Sequence, residues 1–137
     1  MSVAGVRSRA GARSTARLVT ASFLTKHLYV DWREGARHFF DLLVDGDVAS
    51  NTGNWQWVAG TGADTRPNRV FNPVRQSRRY DPDGAYVRRY VEELAEVDGA
   101  AVHAPWTLGR RRPGGYPLPV VDHTEAVERF RAARSKR

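Results

Sequence analysis

The chain has 137 residues, with 22 Lys and Arg against 15 Asp and Glu for a net charge of +7, and no cysteine. Those counts suit one domain or part of a larger one, and they exclude disulfides and thiolate metal sites. A hydrophobic content of 41% supplies a core, while no apolar run approaches the roughly 18 residues that span a bilayer; a cytoplasmic location is expected.

The charge is uneven. Residues 1–30 hold five basic residues and no acid, Asp31 being the first, so the remainder carries only +2. The leader "MSVAGVRSRAGARSTARLV" has the Arg-, Ser- and Ala-rich, acid-poor composition common to transit peptides and disordered leaders. Residues 1–16 are therefore read as a disordered or unrelated leader, and residues 17–137 as the ordered part.

From Arg17, "RLVTASFLTKHLYV" spaces Leu18, Ala21, Leu24 and Leu28 as in a helix. Asp31 with Glu34 three residues on predicts a capping-box start for a second helix, whose buried face is Trp32, Ala36, Phe39 and Leu43. After a turn at Asp45-Gly46, "DVASNTGNWQWVAG" predicts a third helix ending near Gly60. Gly60 to Tyr80 carries Gly, Pro, Asn and Arg without a lasting period and reads as a long irregular connection. Asp81-Pro82 then predicts a helix with Asp81 as N-cap, proline in the first turn and a Val87, Tyr90, Val91, Leu94 stripe. Gly99 to Pro119 reads as loop, and a terminal helix is expected from about Thr124 to Ala133. With no strand alternation and no repeat, the class is all-α.

His27, His38, His103 and His123 are scattered without metal-ligand spacing, and no metal is expected. No phosphate-cradling glycine motif or nucleophile elbow is present. Asp47, Asn51 and Trp55 stand four apart, so a helix puts them on one face. An acid, an amide and an indole there could line a pocket for a planar, hydrogen-bonding ligand. The alternative is an acid cap, a surface Asn and two core tryptophans, Trp55 and Trp57. Arg66, Arg69, Arg75, Arg78 and Arg79 interleave with Phe71 and Tyr80, a pattern suited either to phosphate contact or to a solvated charged face.

Over residues 17–134, the ordered series DWREG, DGD, Asn51, WQW, FNP and YD, continuing through "VHAPW" and "YPLPVVDH", closely resembles the carboxy-terminal part of the FAD-binding domain of DNA photolyases and cryptochromes. The resemblance implies an all-helical domain that holds FAD in a U shape beside a flipped DNA lesion, since the reacting bases cannot reach a cofactor from within the stack. In that family an electron from excited reduced flavin splits a cyclobutane pyrimidine dimer and then returns. The cofactor carries the chemistry and the protein supplies orientation and electrostatics.

Carried over by position, Asn51 resembles the amide at flavin N5, and Asp47 the acid facing the polar edge of the ring. Asp45 resembles the acid paired with an arginine near the ring, here Arg17. Trp55 and Trp32 resemble the first two members of the electron-transfer tryptophan chain. Trp57 resembles the indole that packs on the dimer, Leu18 occupies the position of a family methionine, and Arg69 resembles a DNA-side residue.

Asn51 with "WQW" is closer to class I cyclobutane-dimer photolyases than to plant cryptochromes, which tend to carry Asp there. A cryptochrome-like photoreceptor and an inactive gene remnant stand as alternatives. The resemblance lapses upstream of Arg17, so a carboxy-terminal fragment is expected. The family's phosphate contacts, catalytic Glu and antenna domain would belong to a missing amino-terminal half, and FAD binding by this chain alone would be weak or absent.

Overall fold

The computed structural model describes residues 16–42, 47–62, 66 and 68–135. Among them every regular element is helical and none is a strand, as the all-α reading expects. The leader, Leu43 and the Asp45-Gly46 turn lie outside the described residues, residue 16 excepted. Packing divides the chain into two compact units, one drawn from Met1–Phe71 and Val121–Arg137, the other from Asn72–Val120.

In the first unit α1 (16–22) runs into a π-helical turn, Phe23–His27, closed by Leu28 N–H donating to the Phe23 carbonyl at 3.1 Å. A π turn changes the angular step between side chains. Here Thr25, Lys26 and His27 are all buried, which a 3.6-residue period does not anticipate. Helix α2 (Trp32–Leu42) begins after Asp31, whose carboxylate accepts the Arg33 amide at 2.9 Å. The predicted capping box is half formed, because Glu34 takes the Arg37 guanidinium at 2.5 Å instead of reaching back. Helix α3 (Val48–Ala59) starts at Asp47 and stops at Gly60, which adopts the left-handed conformation (φ 72°), close to the predicted bounds.

The second unit corrects several expectations. The irregular connection to Tyr80 gives way at Asn72 to α4 (Pro73–Tyr80). "FNP" is its start signal: Asn72 accepts the Arg75 amide at 3.0 Å and Pro73 fills a first-turn position where no donor is needed. Its arginines hid the apolar period. Helix α5 is Ala85–Tyr90, with Gly84 rather than Asp81 at the N-cap. Gly84 has φ 69° and a Cβ there would strike Val102, so the chain turns at 81–84 before the helix begins. Asp81 still satisfies the helix start from that turn, accepting the Tyr86 and Val87 amides at 3.0 Å each.

The expected stripe also breaks. Helix α5 ends at Tyr90, which is 60% exposed, and Leu94 sits in a following 3₁₀ turn, Glu92–Leu94. Val87, Val91 and Leu94 pack with Val97 and Val102 as this unit's core. The stretch expected to be loop folds into two 3₁₀ segments, Gly99–His103 and Pro105–Arg111. Arg88 ties the unit together, donating to the carbonyls of Val97 (2.7 Å), Asp83 and Gly99 (3.3 Å). His103 Nδ1 meets the Ser77 hydroxyl at 2.7 Å.

Helix α6 (His123–Ser135) returns to the first unit. Phe130 is buried, with Tyr29 on its edge and the Lys26 ammonium 5.6 Å from its centroid. At the start of α6, His123 Nδ1 lies 2.8 Å from His27 Nε2. No spacing could pair these two, since 96 residues separate them. His27 is 1% exposed, and burial, then the neighbouring His123, hold its pKa below the ordinary 6.5, against a smaller opposing effect of the Ser22 backbone.

A histidine with a depressed folded pKa binds its proton more readily in the unfolded chain, so its contribution to stability is intact above about pH 6.5 and is lost as pH falls through the folded pKa. Urea midpoints should therefore drop between about pH 7.5 and about pH 5.5, and His27→Gln should flatten that dependence. Parallel pH profiles for parent and variant would contradict this assignment.

Candidate functional site

The site is built on α2 and α3, which cross where α2 has no side chain. Trp55 on α3 is 3% exposed and lies edge-on to Phe39, with centroids 5.0 Å apart and planes at 83°. A Cβ on Gly35 would collide with the six-membered ring of Trp55 and come within 2.6 Å of Leu24 Cδ2. Glycine in a helix interior costs roughly 1 kcal/mol relative to alanine; here it lets an indole lie directly on the backbone of α2. The series DWREG contains this glycine, but sequence reasoning gave it no role; a lone glycine inside a strongly helical segment was the available signal.

Asp47 and Asn51 are arranged by different forces. Asp47 stands at the N-cap in extended conformation, and its carboxylate accepts the Ser50 amide at 2.8 Å. Hydrogen bonds from Ser50, side chain first and backbone second, hold its pKa below the ordinary carboxylate value, so the group is an anion fixed at the start of α3. Asn51, one turn on, is half-buried, and its Nδ2 donates to the Ala36 carbonyl at 2.8 Å. That bond uses the amide's donor side and fixes its plane, leaving Oδ1 without a partner among the described residues. The "surface Asn" alternative therefore does not describe Asn51, whereas an acid cap describes Asp47 and a core position describes Trp55.

Trp32 and Trp57 are half-buried and pack on the cluster of Ala21, Ala36, Trp55 and Val58. The Arg33 guanidinium covers Trp32 at 5.1 Å from its ring centroid. Leu18 packs on the same cluster from α1, and Arg17 precedes it on the exposed side of that helix. Asp45 lies outside the described residues. Arg69 is exposed; its guanidinium stands 4.8 Å from the Phe71 centroid, and its carbonyl accepts the Lys26 ammonium at 2.5 Å. The structure thus brings Leu18, Trp32, Asn51, Trp55 and Trp57 onto one three-helix cluster or its margin.

The family model described as the FAD-binding domain of DNA photolyase matches residues 8–136. A deoxyribodipyrimidine photo-lyase of Streptomyces griseus is 69% identical over 121 residues, covering 87% of this chain and 27% of that protein. A bacterial class III photolyase from Agrobacterium tumefaciens superposes with a TM-score of 0.80 at 48% identity, over 88% of this chain and 27% of its own. A cryptochrome from Synechocystis gives a TM-score of 0.80 at 43% identity, over 85% and 26%. The chain spans about a quarter of the length of the relatives it matches. Among the described residues no helix is long and apolar enough to cross a membrane.

The close approach at Gly35 makes a specific prediction. Gly35→Ala should lower the stability to urea by about 1–3 kcal/mol, the usual cost of overpacking a core, and should move the Trp55 fluorescence. A variant as stable as the parent, as helix propensity alone would favour, would contradict the packing described.

Proposed function

We propose, from the premise that this chain belongs to the family of the FAD-binding domain of DNA photolyase, that it forms the flavin- and lesion-facing part of a deoxyribodipyrimidine photo-lyase. The observation that carries the reading is Asn51. Its Nδ2 is committed to the Ala36 carbonyl, so a ligand meets the acceptor Oδ1, the atom suited to an N–H at the edge of a reduced flavin ring. Fixed acceptors, an anion at the first turn of α3 and an adjacent aromatic cluster fit an isoalloxazine better than they fit a phosphate, which would need donors.

When bound, reduced FAD supplies the light-driven electron that opens the cyclobutane ring of a pyrimidine dimer in DNA. This chain's residues bind and orient. Asn51 accepts a hydrogen bond from the ring and fixes its rotation, while Asp47 presents a carboxylate one turn earlier. Trp55 and Trp32, within one packed cluster, offer an aromatic route for an electron, and Trp57 offers an indole face to a flat base. Arg69 contributes a cation on the exposed side for the DNA backbone, and Leu18 an apolar contact. By resemblance, Arg17 is proposed to stand beside the ring, while Asp45, the acid of that family pair, lies outside the described residues. Photolyase and cryptochrome neighbours share the fold at the same TM-score, so backbone shape does not separate repair from signalling. The amide at Asn51 favours repair.

Equilibrium dialysis of the 137-residue chain against FAD reduced anaerobically with dithionite should give weak saturable binding, since much of the relatives' length lies outside it. Asn51→Ala should weaken that binding roughly three- to tenfold, the worth of one hydrogen bond. Illumination of the loaded chain, supplemented with the amino-terminal part of a relative, should convert the dimers of a dimer-containing oligonucleotide to monomers. Saturable flavin binding that Asn51→Ala leaves unchanged would remove Asn51 from the site. Bound flavin and bound DNA without dimer loss would favour the signalling alternative.

A further inference from the structure

The carbonyls that end α3 are shared between two closures. Gln56 O accepts the amides of Thr61 (3.1 Å) and Gly62 (3.2 Å), and Trp57 O accepts that of Gly60 (3.1 Å), which is the ordinary glycine closure of a helix. The carbonyls of Ala59 and Gly60 are met from another element. Arg134 on α6 donates Nη1 to Ala59 O at 3.1 Å and Nη2 to Gly60 O at 2.8 Å. Five residues earlier on α6, Arg129 donates Nη2 to His27 O at 2.6 Å, at the end of the π turn that terminates α1. Neither arginine has an acid partner among the described residues. Both guanidinium groups are spent on helix carboxyl ends, where a cation also opposes the negative end of the helix dipole. Phe130, 4% exposed, is buried between these two contacts along α6.

We infer that Arg134 and Arg129 are positioning residues, through which α6 fixes the axial position of α3 against α1 and thereby the placement of Asn51 and Trp55 toward the flavin. The inference rests on the flavin-facing reading of α3 given above. A bidentate guanidinium across two successive carbonyls fixes direction as well as distance, which a single charge does not. Asn51 lies eight residues before Ala59, about 12 Å along a helix rising roughly 1.5 Å per residue. A helix of this length moves as a rod, so a slip at its carboxyl end is carried to its first turn. The Asn51 bond to the Ala36 carbonyl and the seat of Trp55 on Gly35 both depend on that register.

The test uses the four tryptophans as reporters. Trp32, Trp55 and Trp57 belong to the first unit, and Trp106 to the second, where it serves as internal control. Indole N–H signals are recorded by NMR for the parent chain, Arg134→Gln, Arg134→Lys and Arg129→Gln, each with and without FAD, alongside far-ultraviolet circular dichroism and thermal midpoints.

In Arg134→Gln the Trp55 and Trp57 signals should shift or broaden while Trp106 holds, and the FAD concentration for half-saturation should rise about tenfold, equivalent to roughly 1.4 kcal/mol. Arg134→Lys keeps the cation at the helix end but reaches one carbonyl, so it should recover the thermal midpoint without recovering the parent's indole positions or FAD affinity. A role in stability alone predicts that lysine restores all three together, and that result would overturn the inference. So would a folded Arg134→Gln with the parent's indole spectrum. If FAD perturbs no signal of the parent, this chain does not hold flavin by itself, and the indole comparison without ligand still decides whether α6 positions α3.

Discussion

The contact between Gly35 and Trp55 is the constraint on which the rest of the first unit depends. An indole lies on the bare backbone of α2, in space that any side chain would need. The close crossing brings Asn51 within 2.8 Å of the Ala36 carbonyl and gathers Trp32, Phe39 and Trp57 around the Trp55 cluster. The helix-propensity cost of the glycine is small beside the packing that its absence of a Cβ permits. One missing methyl group thus determines which atoms of α3 face the core.

Helix α3 is held at both ends by groups outside its own ladder. Asp47 fixes the amino end through the Ser50 amide. Gly60 and the Arg134 guanidinium complete the carboxyl end. Such a helix has little freedom to slide, which in the proposed reading suits a surface that meets a rigid aromatic cofactor and a base within hydrogen-bonding and stacking distance. Preorganisation of this kind lowers the entropic cost of binding without adding contacts. In the proposed reading, the protein's part in a light-driven reaction is this fixed geometry and a packed aromatic cluster.

Much of this was legible in the sequence, and what was not has identifiable causes. Helix α3 announced both ends, Asp47 before the helix and Gly60 after it, and the tryptophans within it marked a core. Helix α4 shows no apolar period because PVRQSRRY has hardly any apolar residues, although Asn72-Pro73 carries its start signal. Asp81 reads as an N-cap in the sequence but lies ahead of the helix, since a left-handed Gly84 lets the chain turn before α5 begins. The π turn at Phe23–His27 buries Lys26 and His27 at positions that a regular helix would present differently. The His27–His123 contact and the Arg129 and Arg134 bonds join residues 74 to 102 positions apart, and no local pattern encodes such pairings. The candidate site rests on family resemblance, while the way Asn51 orients its amide required coordinates.

The most direct measurement of the central claim is the proton environment of Gly35. With the Trp55 indole lying on the backbone at Gly35, the α protons of Gly35 should show strong nuclear Overhauser effects to the six-membered ring of Trp55 and ring-current shifts away from ordinary glycine positions. Gly35 α protons at ordinary positions, without effects to Trp55, would contradict the α2–α3 crossing and with it the geometry assigned to Asn51.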